Sequence, residues 1–121
     1  MRVFRRRRRK MKPQYFKEGW IALQKYCGTR KTWPQALIAA DDLLDEALKG
    51  RGYKGKTTGE RLVKAQRDLT NNESVWFGHK LRKQAPEMDV RKLRKQDVLE
   101  ALQGFRQALR DLGVLEVPND D

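Results

Sequence analysis

The single histidine of this chain, His79, stands three residues before Arg82 and four before Lys83, inside the block VWFGHKLRKQAPEMDVRKLRK at residues 75–95. On a helix these three positions are neighbours across one turn. An imidazole beside two cations can hold a phosphate and move a proton during phosphodiester cleavage. The same residues also read as a solvated basic face with His79 half-buried beside Leu81 or Trp76. On residue types alone that second reading is the better one, because charge runs on helices are mostly solvent faces. Asp41 and Asp45 are the acids that could serve such a site, since a spacing of four puts both carboxylates on one helical face. Asp41 and Asp42 fall mid-helix, away from the helix start where a carboxylate would complement the dipole.

Other chemistry is thin. Cys27 is the one cysteine, so there is no internal disulfide, and one cysteine with one histidine does not make a zinc set. Cys27 falls at helical spacing among apolar residues, which predicts plain core packing. The run GRGYKGK at residues 50–56 holds three glycines and three cations and could wrap a phosphate with backbone N–H groups. It lacks the spacing of a phosphate-binding loop, so a flexible basic connector is the better reading. No cofactor and no metal are expected.

The charge is large and uneven. The chain has 121 residues, 28 Lys plus Arg against 16 Asp plus Glu, and a net charge of +12. A neutral metabolite pocket does not need such a field, whereas a polyanion is steered by it. Residues 1–12 carry +8, residues 13–48 carry −1, residues 49–95 carry +9 and residues 96–121 carry −4. The run Arg5, Arg6, Arg7, Arg8, Arg9, Lys10 has nothing apolar to bury and repels itself, so residues 1–12 read as a disordered basic arm that would order on a polyanion, most plausibly RNA. A solubilising tail or a nuclear-localisation patch are the other readings of the same run. In the folded part the candidate phosphate contacts are Lys54, Lys56, Lys80, Lys83, Arg91, Lys92, Arg94 and Lys95.

The elements that must position these groups are helical. The 38% hydrophobic content suffices for one modest core. Phe16, Trp20, Leu23 and Cys27 recur at spacings of four, three and four, with Pro13 at a first-turn position and Gly28 as the stop. Thr32 and Gln35 resemble a capping box that opens a second helix through Trp33, Leu37, Ala40, Leu44 and Leu48 to Gly50. Thr57 and Glu60 repeat the pattern before a short helix through Leu62, Ala65 and Leu69, broken at Asn71 and Asn72. A fourth helix is expected from about Ser74 to Ala85, ended by Pro86. The fifth, from about Asp97 to Leu112, has Val98, Ala101, Leu102, Phe105, Leu109 and Leu112 on one stripe and Gly113 just past its end. No strand alternation appears, so the expected fold is all-α: one bundle of about five helices over residues 13–113, with a short acidic tail at 114–121. Nothing approaches the roughly 20 apolar residues of a membrane-spanning helix, and no apolar signal run follows the arginines, so a cytoplasmic protein without membrane contact is expected.

Ala40-Asp41, Leu43-Leu44-Asp45, Gly55-Lys56-Thr57-Thr58-Gly59-Glu60-Arg61-Leu62 and His79-Lys80-Leu81-Arg82 together resemble a bacterial group of HEPN-like small proteins. The resemblance covers about residues 15–115. It implies a helical bundle, and for HEPN ribonucleases an arginine followed by a polar residue and, four to six residues after the arginine, a histidine. Two such domains pair to form one RNA-cleaving site, so a homodimer is implied. Arg82 matches the arginine, but Lys83 stands at the polar position, and Pro86 or Glu87 stands where the histidine belongs. A proline transfers no proton, and a carboxylate there would repel the scissile phosphate. The family also commonly pairs the motif arginine with an acid on a neighbouring helix, which nominates Asp41 or Asp45, with Asp45 preferred.

Three functions follow as expectations. The first is an RNA-binding HEPN-like module with lost or weakened ribonuclease activity. The second is an active metal-independent ribonuclease of the toxin or RNA-processing kind, with His79 or Glu87 doing the work of the missing histidine. The third is a small basic protein anchored on ribosomal or other large RNA. An antitoxin or a nucleotidyltransferase is the class of protein partner such a chain would have, and the sequence identifies neither.

Overall fold

Proline at the first turn of α1 (Pro13–Leu23) costs the helix nothing, because that N–H has no intrahelical partner, and it sets φ in advance. The computed structural model describes residues 11–116, so the cationic run at residues 5–10 and the end of the acidic tail lie outside the described residues. Phe16, Trp20 and Leu23 of α1 are buried. The helix then tightens into a 3-10 turn at Gln24–Cys27, so the predicted stripe breaks one turn early and Cys27 is only half-buried. Burial still pushes its thiol pKa up, which opposes the thiolate form a catalytic cysteine needs.

The second helix, α2 (Trp33–Gly50), is the centre of the bundle and packs against α1 and all three later helices. Its apolar stripe, Leu37, Ala40, Leu44, Ala47 and Leu48, has no exposure to solvent. The capping box expected at Thr32 does not form. The Thr32 hydroxyl instead donates to the Tyr26 carbonyl at 2.7 Å and so ties the incoming 3-10 turns to the start of α2.

The connector after α2 is pinned rather than flexible. Tyr53 is buried, its N–H donates to the Leu48 carbonyl at 3.1 Å, and its hydroxyl donates to Asp68. Arg51 Nε donates to the Leu112 carbonyl at 2.7 Å. The third helix, α3 (Thr58–Ala65), carries the cap the sequence predicts: Thr57 Oγ1 accepts from the Glu60 N–H at 3.1 Å. Glu60 reaches back one residue further than the usual box, accepting from the Lys56 N–H at 2.8 Å.

The fourth helix, α4 (Asn72–Gln84), starts two residues earlier than expected because Asn71 caps it, its side chain accepting from the Ser74 N–H at 3.1 Å. A 3-10 turn at Ala85–Glu87 carries Pro86, and a second at Val90–Lys92 leads into α5 (Lys95–Asp111). The described residues contain five α-helices, five 3-10 turns and no strand. The fold is thus an all-α helical bundle.

The closest crossing joins α4 to α5 through two glycines. A Cβ on Gly104 would lie 2.7 Å from the Ser74 backbone, and one on Gly78 would lie 2.9 Å from the Phe105 ring. Gly104→Ala must push α4 off α5. Such overpacking costs about 1–3 kcal/mol, of which at most about 1 kcal/mol is offset by better helix propensity. The expected outcome is a melting temperature lowered by several degrees, and a rise would show that the helices do not approach this closely.

Candidate functional site

Asp41 follows Leu37 by four residues and precedes Leu44 by three, so it occupies a core position of α2 in place of an apolar side chain. It is 0% exposed. A lone ionised carboxylate in that position would be very costly, so donors must come to it. Two do, both from α4: His79 Nδ1 and Arg82 Nη1 each lie 2.9 Å from Asp41 Oδ2. An ionised carboxylate only accepts, so Nδ1 carries the proton of this contact and a neutral ring presents the lone pair of Nε2.

His79 is itself 4% exposed, with its ring edge-on to Trp76 at 5.9 Å between centroids. Its Nε2 points toward the first turn of α3, 3.9 Å from where a Cβ on Gly59 would sit. The other oxygen of Asp41, Oδ1, is buried and has no hydrogen-bond partner among the described residues.

Arg82 is divided between two acids, its Nη2 lying 3.3 Å from Asp42 Oδ1. The Asp42 carboxyl is nevertheless pushed above its ordinary value. Partial burial is the main cause, and the neighbouring carboxylates of Asp41, Asp45 and Glu46 add to it against the pull of Arg82.

Asp45, the preferred partner for Arg82 on sequence grounds, does not reach it. Asp45 sits beside α3 and forms a two-point pair with Arg61, Nε to Oδ1 at 2.7 Å and Nη2 to Oδ2 at 3.0 Å. Lys49 adds a contact at 3.5 Å. Burial pushes the Asp45 carboxyl up, but the hydrogen bonds and charge of Arg61, aided by the Thr58 hydroxyl and Lys49, hold it below its ordinary value. The stripe explains the difference: Asp41 lies on the line of Leu37, Leu44 and Leu48 that faces α4, whereas Asp45 is turned toward α3.

Pro86 and Glu87 project into solvent from the 3-10 turn after α4, and Glu87 makes no hydrogen bond or ion pair with His79 or Arg82. Lys54, Lys56, Lys80, Lys83, Arg91, Lys92, Arg94 and Lys95 are all exposed. Arg91 is paired with Asp89 at 2.7 Å, which lowers the Asp89 pKa and raises that of Arg91, and Arg94 lies 3.9 Å from Asp97. Arg5, Arg6, Arg7, Arg8, Arg9 and Lys10 fall outside the described residues. Among the described residues no group of His, Cys, Asp and Glu could hold a metal ion, and no helix is long and apolar enough to cross a membrane.

Sequence reasoning named Asp41, His79 and Arg82 but not the hub they form, and it missed Arg61 as the partner of Asp45. The register of Asp41 within the leucine stripe was a legible sign of burial. Nothing comparable marked Arg61. No protein-family model, curated protein or solved structure matches the chain.

Removing Asp41 strands two donors in the interior, so Asp41→Ala is expected to lower the unfolding free energy by about 3–5 kcal/mol in urea titrations. Asp42→Ala, at an exposed and crowded carboxyl, should change it by less than about 0.5 kcal/mol. Equal losses would refute the hub. Asp45 tests pH dependence with a definite sign. A carboxyl whose folded pKa is depressed contributes stability above its unfolded pKa and loses it as pH falls through the folded value. Asp45→Asn should therefore be less stable than wild type at pH 7, with the gap closing below about pH 4; a gap independent of pH would contradict the Arg61 pairing.

Proposed function

We propose that this chain is an RNA-binding, HEPN-like module whose ribonuclease activity is lost or weakened. One observation carries the reading: the cations that could meet a phosphate backbone are exposed, while the arginine that would stabilise a cleavage transition state is drawn onto the buried Asp41. Transition-state stabilisation needs donors aimed at the place where charge develops. Arg82 spends one terminal nitrogen on Asp41 and the other on Asp42. The charge of Arg82 is thus met by two carboxylates and is not offered to a phosphate. Glu87 contributes another negative charge and no neighbouring cation activates it.

Binding, by contrast, asks only for cations free to displace counterions. Between residues 80 and 95 the chain presents Lys80, Lys83, Arg91, Lys92, Arg94 and Lys95 to solvent against the two acids Glu87 and Asp89. The arm at residues 1–12 adds a further +8. Electrostatic association with RNA is the expected result, with affinity falling steeply as salt rises.

A second reading has one observation in its favour. Asp41 holds the imidazole of His79 in a fixed tautomer with Nε2 free of any described partner, which is how a general base is oriented. An active ribonuclease would use that nitrogen, and two copies would have to pair to complete its site. The two readings separate on incubation with RNA in chelator. We expect retention of intact RNA in gel shifts, and a Lys80→Gln/Lys83→Gln double variant should lower the slope of log affinity against log salt by about 1–2. RNA cleavage that is lost in His79→Gln, with the melting temperature preserved, would overturn the proposal in favour of the enzyme.

A further inference from the structure

The end of the bundle where residues 24–33 meet residues 90–92 joins cations that the sequence keeps far apart. The 3-10 turn Arg30–Thr32 contacts both the turn Gln24–Cys27 and the turn Val90–Lys92, which gathers the exposed Lys25, Arg30 and Lys31 at the same end of the bundle as the exposed Arg91 and Lys92. The first three come from a stretch whose net charge is −1, so segment counting alone does not reveal this patch. Among the described residues Lys25, Arg30, Lys31 and Lys92 make no ion pair, and Asp89 is already engaged by Arg91 at 2.7 Å.

Two aromatic rings lie in the same surface, each under a cation. The Arg30 guanidinium carbon is 4.9 Å from the Trp33 ring centroid, and Lys25 Nζ is 5.2 Å from that of Tyr26. Both rings are half-buried, so each keeps part of its surface accessible. The Trp33 ring is held by a hydrogen bond, its Nε1 donating to the Cys27 carbonyl at 3.1 Å, and the backbone that carries Tyr26 is tied down by Thr32 Oγ1, which donates to the Tyr26 carbonyl at 2.7 Å. A ring held this way loses little side-chain freedom when a flat ligand stacks on it.

We propose that this end of the bundle is a binding surface for single-stranded RNA, with unpaired bases stacking on the Arg30–Trp33 and Lys25–Tyr26 platforms and phosphates lying across Lys31, Arg91 and Lys92. Aromatic rings interleaved with cations favour single strands because a base must leave its duplex stack to meet a protein ring. Cations alone, as at Lys54 and Lys56, make no such distinction. Those two lysines follow the far end of α2, which is 18 residues long and therefore spans about 27 Å from Trp33. The inference rests on the RNA-binding reading above and adds to it a place and a strandedness.

The test uses the full chain and fluorescently labelled RNA of one length and sequence, single-stranded or annealed to its complement. Binding is measured at two salt concentrations. Single strands should bind more tightly than duplex, with the preference widening at high salt as the phosphate contribution is screened. Trp33→Leu should weaken single-strand binding about tenfold and leave duplex binding nearly unchanged. Because Trp33 packs against the core, an Arg30→Ala/Lys31→Ala variant, which removes two exposed groups, is measured beside it and should lose single-strand affinity and preference together. Lys54→Ala/Lys56→Ala should preserve the preference. Equal affinity for single strand and duplex, or a preference unchanged in both the Trp33 and the Arg30/Lys31 variants, would overturn the surface while leaving RNA binding intact. Failure to bind either RNA at low salt would defeat the RNA reading and this inference with it.

Discussion

A carboxylate buried at the middle of a helix sets strict terms for everything around it. Asp41 has no access to water, so its charge must be met by donors from another element, and those donors must arrive in the right register. His79 and Arg82 do so from α4, three residues apart and hence on one helical face. The cluster therefore fixes how α4 lies along α2. Since α5 crosses α4 at Gly78 and Gly104 with no room for a Cβ, the placement of α4 in turn positions α5. Polar pairing at His79 and Arg82 and close backbone approach at Gly78 leave α4 little freedom to slide.

The second ion pair of the interior, Asp45 with Arg61, does the same for α3, a helix of only 8 residues that could not persist alone. Both acids sit on α2, four residues apart. One charged helix at the centre thus specifies the positions of two neighbours, while the leucine and alanine stripe supplies the bulk of the burial. Breaking such pairs is costly even where forming them contributes little net stability, so they act chiefly on which arrangement of helices is adopted.

The same economy separates chemistry from charge. His79 and Arg82 are both occupied with the buried carboxylate of Asp41, whereas Lys54, Lys56, Lys80, Lys83, Arg91, Lys92, Arg94 and Lys95 are exposed. That division is what supports the proposed reading of a chain that binds a polyanion without turning it over. The proposed surface at residues 24–33 and 90–92 would add stacking to such binding, which charge alone does not supply.

The number and order of the helices were legible in the sequence, because 3.6-residue periodicity, capping residues and breakers are local properties of the chain. Thr57 and Pro13 act where local rules place them. Helix ends were less legible: α1 gives way to a 3-10 turn after Leu23, and the carbonyls of Tyr26 and Cys27 at the end of that turn are bonded by Thr32 and Trp33. The residues of the buried cluster were named in advance as well, Asp41 beside Asp45 by their spacing of four and His79 by its spacing of three from Arg82, although Asp45 was the acid preferred for Arg82. Which acid meets which arginine was decided by the tertiary structure, because Asp41 and Asp45 differ by 40° around the helix, at 100° per residue, and only packing says which neighbour lies at each angle. The meeting of the turn Arg30–Thr32 with the turn Val90–Lys92, about sixty residues apart in the chain, was likewise invisible, since charge counted along a sequence carries no information about the surface on which it is gathered.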